Sequence, residues 1–215
     1  RYYQLHHFYD QFCPECAALN YEKRQQTFDL TGKIALVTGG RVKIGFQVVL
    51  KLVRAGAKVI VTTRFPHDCA RRFSELEDYN QLKNRISIYG LDFRYIPGVE
   101  RFCEYLCYTL PRLDIIINNA CQTIRRPPAY YKHLMDIERM KKDEVPKQWL
   151  PILGVSTHDV QYLNSSIVNN SLDTKQSGSG DNEEINTAML GMNNSKSFCD
   201  LSAAEMTQVQ LVEED

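Results

Sequence analysis

The sequence predicts an α/β domain built on a parallel sheet, and three observations carry that prediction. Short, wholly apolar runs recur with turn residues beside them, as strands buried on both faces require. Between them lie segments whose apolar residues fall at helical spacing. The two kinds of segment alternate from Lys33 to Ala120, and right-handed crossovers then set the strands side by side in one sheet.

The first strand is Ile34 to Val37, flanked by Gly32 and Gly39. A helix from Ile44 to Ala55 follows, with Val48, Val49, Leu52 and Val53 at helical spacing. Gly56 stands where a left-handed residue would end it. Lys58 to Thr62 is β-branched and forms the second strand, and Cys69 to Leu82 is the second helix, on Phe73, Leu76, Tyr79 and Leu82. Arg85 to Tyr89 is the third strand. The third helix, Val99 to Leu110, sets Val99, Phe102, Cys103, Leu106 and Leu110 on one face, and Leu113 to Ile117 is the fourth strand.

This alternating unit occupies residues 31–122. Residues 1–30 form an aromatic, polar N-terminal extension with a helix-like stretch from Cys16 to Arg24. Past the helix-breaking Arg125-Arg126-Pro127-Pro128, residues 123–163 keep only a weak helical pattern, from Tyr130 to Met140, on Tyr131, Leu134, Met135 and Ile137. Residues 164–198 are rich in Asn, Ser, Gly and Asp and are expected to be disordered or a long surface insertion. Residues 199–215 make a short tail. Only Ile152 to Val155 and Val209 to Val212 offer further apolar runs. The sheet is therefore expected to be incomplete, with its fourth strand an exposed apolar edge that a partner chain or a second copy would cover.

The 26 basic and 26 acidic residues cancel. No overall field draws the chain to nucleic acid or to an anionic membrane, and neither is expected as a partner. No apolar run approaches the roughly eighteen residues of a membrane span, and the N-terminus lacks a signal-peptide pattern, so a cytoplasmic chain is expected. The seven cysteines are odd in number and scattered. They read as free thiols in a reducing compartment, most of them packed as small hydrophobes.

The most informative stretch is Val37-Thr38-Gly39-Gly40-Arg41-Val42-Lys43-Ile44-Gly45, between the first strand and the first helix. Glycine there lets the backbone approach a pyrophosphate, and the helix start offers free N–H groups and a positive dipole end. A tight turn with no ligand is the alternative. The stretch resembles the short-chain dehydrogenase/reductase family, whose fingerprint is Thr-Gly, three residues, then Gly-x-Gly. Thr38, Gly39 and Gly45 match, and Lys43 stands in place of the middle glycine. Either the turn takes another path there, or Lys43 directs its ammonium at a phosphate.

Other matches follow in the family's order, and together they cover roughly residues 31–122. Asp92, in Leu91-Asp92-Phe93, resembles the acidic residue that contacts the adenine amino group. Asn118-Asn119-Ala120 resembles the family's Asn-Asn-Ala-Gly, with Cys121 for the glycine. At the ribose-selecting slot the chain has Thr63, then Arg64. Without a carboxylate to repel a 2′-phosphate, and with a guanidinium to pair it, NADP is expected over NAD.

The resemblance thus implies a Rossmann-type sheet and a cofactor-binding set of Thr38, Gly39, Arg41, Lys43, Ile44, Gly45, Arg64, Asp92, Phe93, Asn119 and Ala120. The implied reaction is hydride transfer between a small carbonyl compound and an alcohol. The family's Tyr-x-x-x-Lys pair is missing from the later sequence: Tyr130, Tyr131 and Tyr162 are followed four residues on by Leu134, Met135 and Ser166. No catalytic residue is assigned, and a noncatalytic nucleotide-binding or interaction protein on the same half-fold remains the rival reading. Cys13-Pro14-Glu15-Cys16, with His6 and His7 near in sequence, reads as half a zinc site, a redox pair, or structural cysteines at a helix start. No metal is assigned.

Overall fold

A computed structural model describes residues 3–122, 126–141, 143–154 and 202–208. Four parallel strands form one sheet: β1 (Ile34–Thr38), β2 (Lys58–Thr63), β3 (Ile86–Gly90) and β4 (Ile115–Ile117), in the spatial order β3-β2-β1-β4. Ala35 lies opposite Val59 on one side and Ile115 on the other. The strand order reverses at β1. A crevice opens at the carboxyl ends of the strands there, the place where open α/β sheets bind ligands.

The helices are α1 (Pro14–Gln25), α2 (Lys43–Arg54), α3 (Pro66–Ser74), α4 (Tyr79–Leu82), α5 (Ile96–Thr109) and α6 (Met135–Glu138). The two-residue period of the strands sorts their side chains into two cores. Ala35, Val37, Val59, Val61, Ile86 and Ile88 face α2 and α3, where Val49, Val53 and Phe73 pack. Ile34, Ile60 and Tyr89 face Phe102 and Leu106 of α5. β1, β2 and β3 are largely buried on both faces, which is why they read as apolar runs.

Gly56 ends α2 at φ +100°, with Gly56 N–H donating to Val53 O and Ala57 N–H to Leu52 O, both at 3.1 Å. This is the expected left-handed stop. The helix expected over Cys69 to Leu82 is two. Proline at its first turn lets α3 start at Pro66, and the chain turns after Ser74 before α4, where Arg54 holds Asp78 at 2.7 and 3.1 Å. The six described cysteines are free, as expected, but the packing expected of most of them fails. Of the six described, only Cys69 is buried, and burial pushes its thiol up. Cys103 and Cys107 sit one step round α5 from its Phe102–Leu106 stripe and face solvent.

After β4 the chain crosses to the opposite edge of the sheet. The weak helical stretch becomes a 3-10 turn, Pro128–Leu134, leading into α6. Val145, Trp149 and Ile152 enter the core beside β3, and the Tyr79 hydroxyl donates to the Gln148 carbonyl. Ile88 N–H donates to Ile152 O at 2.7 Å and Gly154 N–H to Ile88 O at 2.8 Å. The run at 152–154 is thus a one-residue bridge capping β3 and not a strand beyond β4. Among the described residues nothing pairs with the outer side of β4, where Ile116 is 58% exposed. The stretch 164–198, Tyr162 and the run from Val209 lie outside the described residues.

Candidate functional site

The crevice above β1, β2 and β4 is a cleft of about 730 Å³, within the range of small-molecule sites. Of the eleven residues singled out from sequence, all but Thr38 line it. Thr38 works from behind, its Oγ1 accepting the N–H groups of Asn119 and Ala120, both at 2.9 Å, which ties the end of β4 to the end of β1. Asn119 both lines the cleft and braces it, donating from Nδ2 to Thr38 O (3.1 Å) and Gly39 O (3.2 Å).

The turn between β1 and α2 is shaped by its backbone. Gly39 has φ +69°, and a Cβ on it would lie 3.0 Å from the Ala120 Cα. A Cβ on Gly45 would run into the Gly39 carbonyl oxygen and lie 2.6 Å from Asn119 Nδ2. Lys43 has φ +52°, so the turn keeps the left-handed path that glycine usually supplies. A residue with a Cβ holds that conformation at a cost of about 1–2 kcal/mol. No carboxylate pairs with Lys43 among the described residues. Ile44, first after it, is 73% exposed.

At the far end, β2 delivers Thr62, Thr63 and Arg64. Arg64 lies over the Tyr131 ring, 4.7 Å from its centroid, and donates from Nη2 to the Tyr131 hydroxyl at 2.9 Å. Gln122 Nε2 donates to the same oxygen at 2.8 Å. Tyr131 packs in turn on Phe65, with Leu134, Met135 and Ala204 around them. Arg64 makes no ion pair among the described residues, whereas Arg41 is engaged with Asp68 at 2.6 Å. Asp68 also takes Arg71 and Arg72, each at 2.8 Å. Burial pushes the Asp68 carboxyl up, but the bonds from Arg72, Arg71 and Arg41 outweigh it and hold it at about 2.

Asp92 is buried and clasped by Arg94, whose Nη2 lies 2.6 Å from Oδ2 and reaches the Met206 carbonyl at 2.7 Å. Phe93, 41% exposed, lines the cleft beside it. Glu138 caps the start of α3 from outside, accepting the N–H groups of His67 (3.1 Å) and Asp68 (2.9 Å). Burial raises its carboxyl to about 7. His67 is hydrogen-bonded to the Ile137 carbonyl at 3.0 Å.

One buried polar atom of the cleft is orphaned. Thr62 Oγ1, on a residue 1% exposed, has no partner among the described residues. Buried hydroxyls are rarely left so. With the glycine cradle at Gly39 and Gly45, it makes a site that fits a ligand bearing phosphates and hydroxyls.

The family model for short chain dehydrogenases matches residues 33–143. The chain belongs to that family. It is a family of NAD(P)-dependent oxidoreductases, and the Rossmann-type sheet agrees with it. A rhamnolipid-biosynthesis 3-oxoacyl-[acyl-carrier-protein] reductase of Pseudomonas aeruginosa is 37% identical over 100 residues, 43% of this chain and 35% of that protein. An uncharacterized protein of Acanthamoeba polyphaga mimivirus is 37% identical over 126 residues, 56% of this chain and 27% of its own length. Among solved structures, a complex of Pseudomonas aeruginosa RhlG with NADP is similar at 28% identity and a TM-score of 0.35, covering 58% of this chain and 49% of that one. The chain spans about a third or less of the two curated relatives.

The family's Tyr-x-x-x-Lys spacing does occur once, upstream of where the fold would use it, at Tyr79 and Lys83. Tyr79 is buried in the α2–α3 core, its hydroxyl given to Gln148, and Lys83 Nζ bonds Asn80 at 3.2 Å. Neither lines the cleft. Sequence reasoning missed Thr62, Arg94, Gln122 and Tyr131. The Asp92–Arg94 clasp had a signal, opposite charges two residues apart beside a motif. Tyr131 had none, being 67 residues from the arginine it holds.

Proposed function

We propose that this chain binds a dinucleotide in the cleft, NADP(H) before NAD(H), and serves as the nucleotide-binding part of a carbonyl/alcohol oxidoreductase. In this reading the N–H groups at the start of α2 and the Lys43 ammonium take the pyrophosphate, and Thr62 and Asn119 border the sugar. The adenine end lies against Asp92 and Phe93. When bound, the cofactor supplies the hydride. The carrying observation is Arg64: a guanidinium at the cleft rim without a carboxylate partner, held in place by a phenol, next to Thr63 where an acidic residue would exclude a 2′-phosphate. The other cleft arginines, Arg41 and Arg94, already have carboxylates.

The test is calorimetric titration of the purified chain with NADPH and NADH. Saturable one-to-one binding, tighter for NADPH, is expected; no heat from either nucleotide would remove the reading. One observation favours a second reading, in which the chain is a nucleotide-binding unit without catalysis of its own. No tyrosine lines the cleft, and no tyrosine–lysine pair lies near it among the described residues. On that ground the chain assayed alone is expected to show no carbonyl reduction with NADPH. Turnover that tracks the purified chain would overturn this.

A further inference from the structure

The cleft leaves one motif of the sequence unused, Cys13-Pro14-Glu15-Cys16. α1 begins at Pro14, so Cys13 is its N-cap, with φ −61° and ψ 158°, and its carbonyl accepts the Ala17 N–H at 2.8 Å. Cys16 is then the third helical residue. The N-cap and the third helical residue are neighbours in the first turn, so this spacing brings the two cysteines together at the start of α1. Cys13 is partly exposed and Cys16 exposed. A zinc site needs further ligands, and among the described residues no group of three or more His, Cys, Asp or Glu side chains converges. His6 is engaged elsewhere, its Nδ1 accepting the Phe8 N–H at 3.1 Å and its ring against those of His7 and Tyr21.

We propose that Cys13 and Cys16 are a redox-active pair, cycling between dithiol and intramolecular disulfide by exchange with small-molecule disulfides. The two cysteines share the first turn of α1, and both are within reach of solvent. The roles of the two are unequal. The Cys16 N–H and thiol hold Cys13 below the ordinary thiol range, and the same hydrogen bond holds Cys16 above it, while the Glu15 charge opposes ionisation of both. Cys13 is therefore the attacking sulfur.

In the forward direction the Cys13 thiolate attacks one sulfur of a disulfide R–S–S–R. A Cys13–S–S–R bond forms and one thiolate, RS⁻, leaves. Cys16 then gives its proton to water, attacks the Cys13 sulfur and expels the second RS⁻. Two protein thiols are oxidised by two electrons, and one external disulfide is reduced to two thiols. Among the described residues the other thiols lack this arrangement. Cys69 is buried with its thiol pushed up, and Cys103 and Cys107 lie within α5 and not at a helix start.

The full chain is equilibrated in glutathione buffers from reducing to oxidising, quenched in acid, alkylated and digested with trypsin. A single peptide, Tyr2 to Lys23, then carries both cysteines. The expected result is that this peptide becomes two hydrogens lighter and unalkylated with one midpoint, and is restored by reduced glutathione. Cys16→Ser should stop at a glutathione adduct on Cys13, and Cys13→Ser should remain largely alkylated. Both thiols alkylated across the whole range, or glutathione on both, would overturn the proposal. So would stoichiometric zinc that shields both thiols in the wild type and is lost in either variant. Thermal unfolding of both variants at the wild-type midpoint, expected for exposed side chains, shows that the readout is chemical and not a loss of fold.

Discussion

The two ends of the cleft are built differently. At the turn end, Gly39, Lys43 and Gly45 come from seven consecutive residues and act through backbone shape: two positive φ angles and no room for a Cβ. At the arginine end, Arg64 is placed by side chains from distant parts of the chain, Tyr131 and the cluster of Leu134, Met135 and Ala204 behind it. The first end presents groups that any dinucleotide would meet, and the second presents the one charge that would tell two dinucleotides apart. On the proposed function, affinity and selectivity would belong to separate parts of the molecule, and each could be broken alone.

The largest effect is expected at the turn. Gly45→Ala puts a methyl into the Gly39 carbonyl and Asn119, destabilising the chain by about 3 kcal/mol. It should abolish binding of NADPH and NADH alike. Denaturant unfolding and calorimetry check the two parts.

A second effect sharpens the contrast through the segment that carries Tyr131. Glu138 anchors that segment to α3, and its carboxyl is raised to about 7 from an ordinary 4.5. A raised acid keeps its proton in the folded chain while the unfolded chain has lost it, so the contribution is present below pH 4.5 and lost as pH climbs to 7. Stability should fall over that window by at most about 3 kcal/mol, and Glu138→Gln should flatten the slope. Asp68, held at about 2, acts oppositely: its contribution is present above pH 4 and lost on acidification toward 2. Unfolding free energies measured from pH 3 to 8 separate the two.

Smaller effects remain. Tyr131→Phe keeps the ring under Arg64 but removes the hydroxyl that accepts from it. Losing about 1 kcal/mol of positioning should weaken NADPH roughly fivefold and leave NADH unchanged. Lys43→Gly relieves the left-handed strain but frees the unfolded chain, for a net change of at most about 1 kcal/mol. It should weaken both nucleotides to the same degree. A change in NADPH alone would contradict the division between the ends.

The same contrast explains what the sequence disclosed. The turn end is written in consecutive residues after an apolar strand, so glycine positions and hydrophobic period were enough to find it, as they were for the four strands. That Lys43 keeps a glycine-like φ could not be read, because sequence allowed either a new path or the old one under strain. The crossing of residues 126–154 to the β3 edge was hidden for another reason. Its elements are short and only weakly periodic, and Trp149 and Ile152 become core only because β3 and α4 present a surface for them. The thiol burial failed because a cysteine one step round a helix from an apolar stripe looks, in sequence, like part of it.

The central claim is that Arg64 chooses the nucleotide while the turn only binds it. The most direct measurement is the ratio of NADPH to NADH affinity in the wild type and in Arg64→Ala, by calorimetry at one ionic strength. A charge-assisted contact of about 1.5–3 kcal/mol predicts a wild-type preference for NADPH of roughly tenfold to a hundredfold, falling to near unity in the variant with NADH affinity unmoved. A wild-type preference for NADH, or a ratio that survives the loss of Arg64, would contradict it.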